Sequence, residues 1–378
     1  MPRIHIVHLV ESNDRHGWLE SLIDSLDKDG FSQSVLTLTP PNRLREFYEV
    51  NYPHIKVHGI KRDKFFVFRA LLELRRITKN TSINVIFSLG HPASFLGGIA
   101  RTVLGLHLVI CHMQQPRFFD FLKPKWKGFL HGLLYEFYSK RADLNIALSK
   151  EVYEKLKELR IPERRIIRLG IGVDFEKIRK ELNYDVGKSV KVSGKPKILM
   201  VGRLSREKNY QLALRVLKNL TRVYPEARLV IAGKGPLESE LKMLVNSYGL
   251  SQNVQFIGYV ENIPALMSNF EVLLHLATTE GYGQVYLEAL LCGLSVVSTR
   301  VGVAIDFSEA GISDVYVVST HSELAIVSGI VSSIEYRESH LNNRANYFEQ
   351  LAHHDSAYVQ KKYGEIIKKH FENLDLPR

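Results

Sequence analysis

Short apolar runs of strand length alternate with amphipathic stretches along nearly the whole chain. That pattern predicts parallel sheets with crossover helices. In the first half, 3–10, 33–38, 54–58, 83–88, 107–112 and 143–148 read as strands, and Phe65–Lys79 and Trp126–Arg141 read as helices. The polar stretch Phe175–Pro196, carrying Gly187, Ser189, Ser193 and Gly194, interrupts the alternation and puts a domain boundary near residue 190. Strands resume at 197–202, 228–233, 253–257, 271–276, 295–299 and 315–318, with helices beginning near Tyr210, Leu237, Pro264, Gln284 and Ser322. The predicted fold class is α/β: two tandem Rossmann-like, doubly wound parallel-sheet domains, residues 1–190 and 191–345, with an interdomain cleft. The tail, 346–378, is helical in pattern and has no strand after it, so it packs on an outer face or crosses back to the first domain.

Composition narrows the class without changing this picture. A chain of 378 residues that is 45% hydrophobic and 24% charged suits two globular domains and excludes disordered, collagenous and disulfide-scaffold proteins. The start, MPRIHIVHLVESND, alternates like a strand rather than a secretory leader, which predicts a cytoplasmic protein. The longest apolar candidate, Ala93–Met113, is broken by Arg101 and two histidines, so no transmembrane helix is predicted. Cys111 and Cys292 lie in apolar contexts that fit reduced, buried thiols. The net charge of +11 is lopsided: residues 1–190 hold 31 basic against 21 acidic side chains, and residues 191–378 hold 20 against 19.

The most informative segment is Thr279-Glu280-Gly281-Tyr282-Gly283-Gln284-Val285-Tyr286-Leu287-Glu288. The glycines at 281 and 283 predict a helix that starts after them, with Glu280 on the loop and Glu288 in the second turn. The N–H groups of Gln284 and Val285 would then open toward a ligand, and the helix dipole favours an anion such as a diphosphate there. Glu288 can accept hydrogen bonds from one pair of sugar hydroxyls and Glu280 from another sugar. Either glutamate taken alone reads better as a solvated surface residue; the two glycines in register favour the ligand-facing reading. Arg203 and Lys208, five apart across a strand-to-helix loop, offer a planar fork and a point charge to one polyanion.

The segment EGYGQVYLEALLCG resembles the Glu–seven residues–Glu motif of the retaining GT-B glycosyltransferases of glycosyltransferase family 4. Gly202-Arg203-Leu204-Ser205-Arg206-Glu207-Lys208 is similar to that family's loop holding the donor diphosphate, and Ile231-Ala232-Gly233-Lys234-Gly235-Pro236 to its next glycine loop. Phe256-Ile257-Gly258 resembles the segment against the nucleobase, and Gly172-Val173-Asp174 the turn ending the first domain. The resemblance implies a GT-B fold and a nucleoside-diphosphate sugar as donor, with UDP the expected carrier and a hexosyl or N-acetylhexosaminyl group moved. Arg203 and Lys208 would stabilise the leaving diphosphate, Glu280 the transferred sugar and Glu288 the ribose. Gly202, Gly233, Gly235, Gly258, Gly281, Tyr282, Gly283, Gln284 and Val285 would line the donor pocket. His112, after the strand LHLVIC, resembles the family's histidine facing the donor sugar. Gly17 in RHGWLE matches part of the first glycine loop, although Arg15 and His16 stand where a paired glycine is usual. Other departures are Cys292-Gly293-Leu294-Ser295, which lacks the family's proline, and Val303, which replaces a glycine.

No metal or cofactor is expected. The one Asp-x-Asp, Asp27-Lys28-Asp29, precedes Gly30 and reads as a helix-end turn, and no GxGxxG follows the first strand, which weighs against a dinucleotide oxidoreductase. Two basic aromatic runs, Lys61–Arg69 and Arg117–Lys127, fit either an anionic membrane surface or solvated cations over core aromatics. Nothing resembles a nucleic-acid module, so no nucleic-acid partner is expected. The expected acceptor is a lipid-linked or envelope saccharide. The rival readings are an epimerase or donor hydrolase on the same fold, and a catalytically silent sugar-nucleotide or anionic-lipid binding subunit.

Overall fold

The structure is a computed structural model that describes residues 4–11, 17–40, 42–61, 63–79, 83–112, 124–182, 192–318, 322–339 and 346–371. It divides into two compact units, Met1–Gly172 with Ser356–Arg378, and Val173–Asp355. Helix Phe175–Leu182 packs on helix Ile263–Met267 and so belongs to the second unit, which puts the division before this helix rather than near residue 190.

The first unit holds a seven-stranded sheet of β1 (Ile4–Val10), β2 (Ser32–Thr37), β3 (Lys56–Gly59), β4 (Ile83–Leu89), β5 (His107–His112), β6 (Leu144–Ala147) and β7 (Ile166–Arg168). The order is β3-β2-β1-β4-β5-β6-β7 and every pairing is parallel. Because crossover helices cover both faces, β1 is buried along its whole length, its polar positions His5 and His8 included, although its sequence alternates. Strand β7, three residues long and half-exposed, carries too little pattern to be read from sequence. Helix Ser356–Phe371 closes this unit against helix Gly17–Lys28, with Trp18 edge-on to Tyr363 at 5.6 Å and the Tyr363 hydroxyl donating to the Gly170 carbonyl at 3.2 Å.

The second unit holds a six-stranded parallel sheet of β8 (Lys197–Val201), β9 (Arg228–Ala232), β10 (Val254–Gly258), β11 (Val272–His275), β12 (Ser295–Thr299) and β13 (Val315–Val318). Its order is β10-β9-β8-β11-β12-β13. Helix Tyr210–Leu220 buries Tyr210, Leu212, Ala213, Leu214, Val216, Leu217 and Leu220 over it, each large apolar side chain contributing roughly 1.5–3 kcal/mol. Helix Val303–Glu309 has no counterpart in the sequence reading, since only its seven residues separate Gly302 from the next turn. Both sheets are parallel and doubly wound, so the predicted α/β class with two Rossmann-like units holds.

Candidate functional site

In the second sheet the chain leaves β8 toward β9 on one side, while β11 leads to β12 on the other, so the loops after β8 and β11 diverge over a crevice at the strands' carboxyl ends. The glycine loops after β8, β9 and β10 lie edge to edge. The Gly202 N–H donates to the Ala232 carbonyl at 3.0 Å, the Leu204 N–H to the Lys234 carbonyl at 3.0 Å, and the Gly233 N–H to the Gly258 carbonyl at 2.7 Å. A Cβ on Gly233, at φ +149°, would stand 1.9 Å from the Gly202 oxygen, and one on Gly235 2.4 Å from the Leu204 oxygen. These two glycines are therefore required by backbone packing, independently of any ligand.

The loop after β8 runs through a single turn, Arg206–Lys208, to Asn209, whose left-handed backbone (φ 56°) starts helix Tyr210–Leu220. Asparagine tolerates that conformation, and the sharp corner turns Lys208 back over the sheet. The Tyr210 hydroxyl donates to the Gly202 carbonyl at 2.9 Å, and the Thr278 N–H to the Glu207 carbonyl at 2.8 Å, tying this loop to the one after β11. Lys208 Nζ then reaches Glu280 Oε2 at 2.6 Å. Arg203 is exposed and forms no ion pair with any described residue.

His275, the last residue of β11, completes the cluster. Its Nε2 lies 3.2 Å from Glu280 Oε2, off the line of a good hydrogen bond, and its ring stands edge-on to Tyr286 at 4.9 Å. Burial would raise the Glu280 carboxyl, but the His275 ring and the Lys208 ammonium outweigh it and hold the pKa at about 2. Burial also lowers His275, so a neutral imidazole faces the Glu280 carboxylate at neutral pH. Sequence reasoning missed His275; the available signal was a histidine ending the apolar run VLLH at the carboxyl end of a central strand.

The Glu280 stem is gripped by two glycines: a Cβ on Gly283 would stand 3.2 Å, and one on Gly302 3.1 Å, from Glu280 Cγ. Gly283 adopts φ 89° and caps helix Gln284–Leu291, so the first turn of that helix opens beside Glu280. Gly281 and Tyr282 are buried, Gln284 and Val285 half-buried. The Tyr282 carbonyl accepts from the Val303 N–H at 2.8 Å, and the Tyr282 hydroxyl meets His354 Nδ1 at 2.8 Å. Glu288 is half-buried in the second turn, and burial, aided by the Glu181 carboxylate and opposed by Lys177, pushes its pKa up to about 7.

The remaining sequence candidates lie in the first unit. Gly17 opens helix Gly17–Lys28, while Arg15 and His16 lie outside the described residues. His112 ends β5, buried against Tyr135 and Tyr138, with Nε2 2.9 Å from Asn145 Oδ1. Burial lowers it to about 4, so it serves as a neutral hydrogen-bonding ring. A histidine pair went unread: His131 Nδ1 meets His91 Nε2 at 2.7 Å, and His91 Nδ1 meets the Tyr138 hydroxyl at 3.0 Å. Asp27 is engaged by Gln33 and His54. Among the described residues no cluster of His, Cys, Asp or Glu is arranged to hold a metal ion, and no helix is long and apolar enough to cross a membrane. Of the basic runs, Arg62 and residues 117–123 lie outside the described residues.

Residues 18–177 match the family described as Glycosyltransferase Family 4, and residues 185–350 match Glycosyl transferases group 1. The chain is 35% identical over 107 residues to the phosphatidylinositol N-acetylglucosaminyltransferase gpi3 subunit of Schizosaccharomyces pombe, covering 28% of this chain and 24% of that protein. It is 26% identical over 230 residues to the N-acetylgalactosamine-N,N'-diacetylbacillosaminyl-diphospho-undecaprenol 4-alpha-N-acetylgalactosaminyltransferase of Campylobacter jejuni, covering 60% of each. The matches thus span less than two thirds of either relative's length. The crystal structure of Anabaena HepE in complex with UDP superposes with a TM-score of 0.77 at 19% identity, over 97% of this chain and 100% of that one.

Proposed function

Starting from a chain that belongs to the GT-B glycosyltransferases of the family 4 type, we propose that it moves a hexosyl or N-acetylhexosaminyl group, with retention, from a UDP-sugar to a hydroxyl of a lipid-linked or envelope saccharide. The observation that carries this reading is the juxtaposition of Lys208, Glu280 and His275 at the switch point of the second sheet, with Arg203, on the same loop as Lys208, forming no ion pair with any described residue. Arg203 and Lys208 bind the diphosphate and offset the charge that develops as the sugar–phosphate bond breaks. Glu280, kept ionised, accepts from hydroxyls of the transferred sugar, and Glu288 accepts from the ribose.

The reaction balances without a protein nucleophile. The anomeric carbon loses its bond to the phosphate oxygen, gains one to the acceptor oxygen on the same face, and the acceptor proton passes to the departing phosphate. Two cations at the diphosphate supply the charge for this step, and the reading includes no divalent ion. Support for the donor comes from the UDP bound by HepE. Support for the acceptor class comes from the phosphatidylinositol and diphospho-undecaprenol substrates named for the two relatives.

A thermal-shift panel of nucleoside diphosphates and sugar nucleotides, run with chelator and then with divalent metal, tests the donor site. UDP and one UDP-sugar should raise the melting temperature in chelator by the mass-action shift of a native-state ligand. A panel in which no nucleotide shifts the transition overturns the assignment. Product analysis follows: release of UDP only when an acceptor saccharide is present supports transfer, whereas acceptor-independent release or an epimerised donor favours the rival enzymes.

A further inference from the structure

Glu280 is faced by two donors, and only one of them is satisfied. Both contacts fall on a single oxygen: Lys208 Nζ lies 2.6 Å and His275 Nε2 3.2 Å from Glu280 Oε2. The lysine makes a full hydrogen bond, whereas the buried His275 Nε2 has no hydrogen-bond partner among the described residues. A carboxylate oxygen opposite Nε2 favours the tautomer that carries the ring proton there. A buried N–H that stops short of its acceptor is unfavourable and uncommon in folded proteins.

The three side chains differ in freedom. His275 is 4% exposed, its ring edge-on to Tyr286, and the Tyr286 hydroxyl meets Ser298 Oγ at 3.0 Å on the neighbouring strand β12. That packing fixes the ring. The Glu280 stem is equally confined between Gly283 and Gly302, but its carboxylate turns about a terminal bond whose torsion is broad and soft. Lys208, 21% exposed, reaches Glu280 on a flexible four-carbon stem that passes Gly202, where an added Cβ would stand 3.7 Å from Lys208 Cε. The ammonium can therefore be redirected and the carboxylate can swivel while the ring stays in place.

We propose that His275 is a positioning residue that takes Glu280 over when the donor diphosphate draws Lys208 away; the inference rests on the donor site proposed above. An ammonium placed between one carboxylate and two phosphates is pulled toward the greater negative charge. Released, Glu280 would be a buried carboxylate without its cation, which burial drives toward protonation. A small swivel that closes the 3.2 Å gap to the roughly 2.7–2.9 Å of a charge-assisted hydrogen bond satisfies His275 Nε2 and keeps Glu280 ionised. Nucleotide binding thereby sets the carboxylate for the transferred sugar, and a sugar arriving without a diphosphate meets a Glu280 still held by Lys208.

The test uses the full chain with UDP as the probe. In the nitrogen–proton spectrum of the histidine rings, the His275 Nε2–H signal is identified by its loss in His275→Leu. It should move downfield by about 1 ppm or more in Lys208→Met without ligand, and in the wild type on adding UDP. Calorimetric titration gives a second readout. His275→Leu should weaken UDP by about ten-fold or more, because Lys208 then leaves only by stranding a buried carboxylate. His275→Gln, which keeps an N–H donor, should stay near the wild-type affinity. His275→Leu/Glu280→Gln should recover it, since the charge to be stranded is gone, whereas a ring needed only for packing would give a loss that Glu280→Gln does not repair. A signal unmoved in Lys208→Met overturns the proposal whatever UDP does, as does UDP binding that His275→Leu leaves unchanged. A signal that moves in Lys208→Met, in a chain that does not bind UDP, keeps His275 as the second holder of Glu280 and overturns the donor reading instead.

Discussion

Lys208 Nζ and Glu280 Oε2 stand 2.6 Å apart and join the loop after β8 to the loop after β11 across the switch point of the second sheet. Removing one partner of a fully buried pair costs about 3–5 kcal/mol; with side chains 21% and 19% exposed, solvent screening reduces that to about 1–3 kcal/mol for Lys208→Met. A double-mutant cycle with Glu280→Gln in urea should show a coupling of about 1 kcal/mol or more, and additive effects would mean the pair is not formed in solution. A bound diphosphate competes for the same ammonium. Glu280→Gln should therefore bind UDP as tightly as the wild type, or more tightly, while transfer falls steeply.

Arg203 differs from Lys208 in having no ionic partner among the described residues. Arg203→Ala should leave stability within about 0.5 kcal/mol of wild type. The same substitution should weaken UDP by roughly 10- to 100-fold, the worth of charge-assisted hydrogen bonds to a phosphate. Calorimetric titration beside a urea melt separates the two effects. Unchanged affinity for UDP would remove Arg203 from the donor site.

The strands were legible because burial on both faces leaves an unbroken apolar signature, and β5, β12 and β13 start and stop where the pattern puts them. Strand β7 escaped for the converse reason, and the unit boundary was misplaced because the polar face of helix Phe175–Leu182 hides its docking on Ile263–Met267. At the candidate site, Arg203, Lys208 and Glu280 were picked out by their spacing around glycines. His275 was not, because a strand-terminal histidine looks like core until the loop after β11 folds Glu280 back onto it. Helix Lys125–Arg141 was half legible: its extent stood out, but that Trp126, Phe129, Leu130 and Leu133 face solvent while Tyr135 and Tyr138 are buried depends on neighbours remote in sequence.

Gly233 and Gly235 carry a structural prediction that ligand binding alone would not make. A methyl group at 233 would meet the Gly202 oxygen at 1.9 Å in a backbone conformation that side chains rarely adopt. Gly233→Ala should destabilise the chain by about 2 kcal/mol or more without any nucleotide present, and Gly235→Ala by a similar amount. Gly17→Ala serves as the control, because nothing lies within 4 Å of its added methyl. Melting temperatures of the three unliganded variants give the answer, and equal values would return the glycines at 233 and 235 to a purely ligand-facing role.

Glu288 and Glu280 titrate in opposite senses. The Glu288 carboxyl is raised from 4.5 to about 7 by burial and by Glu181. Between those values the folded chain holds a proton that the unfolded chain has released, so the Glu288 contribution to stability falls as pH rises through this window and levels off above it. Glu280 is lowered from 4.5 to about 2, so its contribution is complete above 4.5 and is lost as pH falls toward 2. Glu288→Gln should therefore become more stable relative to wild type as pH rises from about 5 to about 8. Nucleotide binding should run the other way, because only the ionised Glu288 can accept from both ribose hydroxyls. UDP affinity of the wild type should increase through about pH 7 while unliganded stability declines, and Glu288→Gln should flatten both profiles. A wild-type affinity that does not change across this range would detach Glu288 from the ribose.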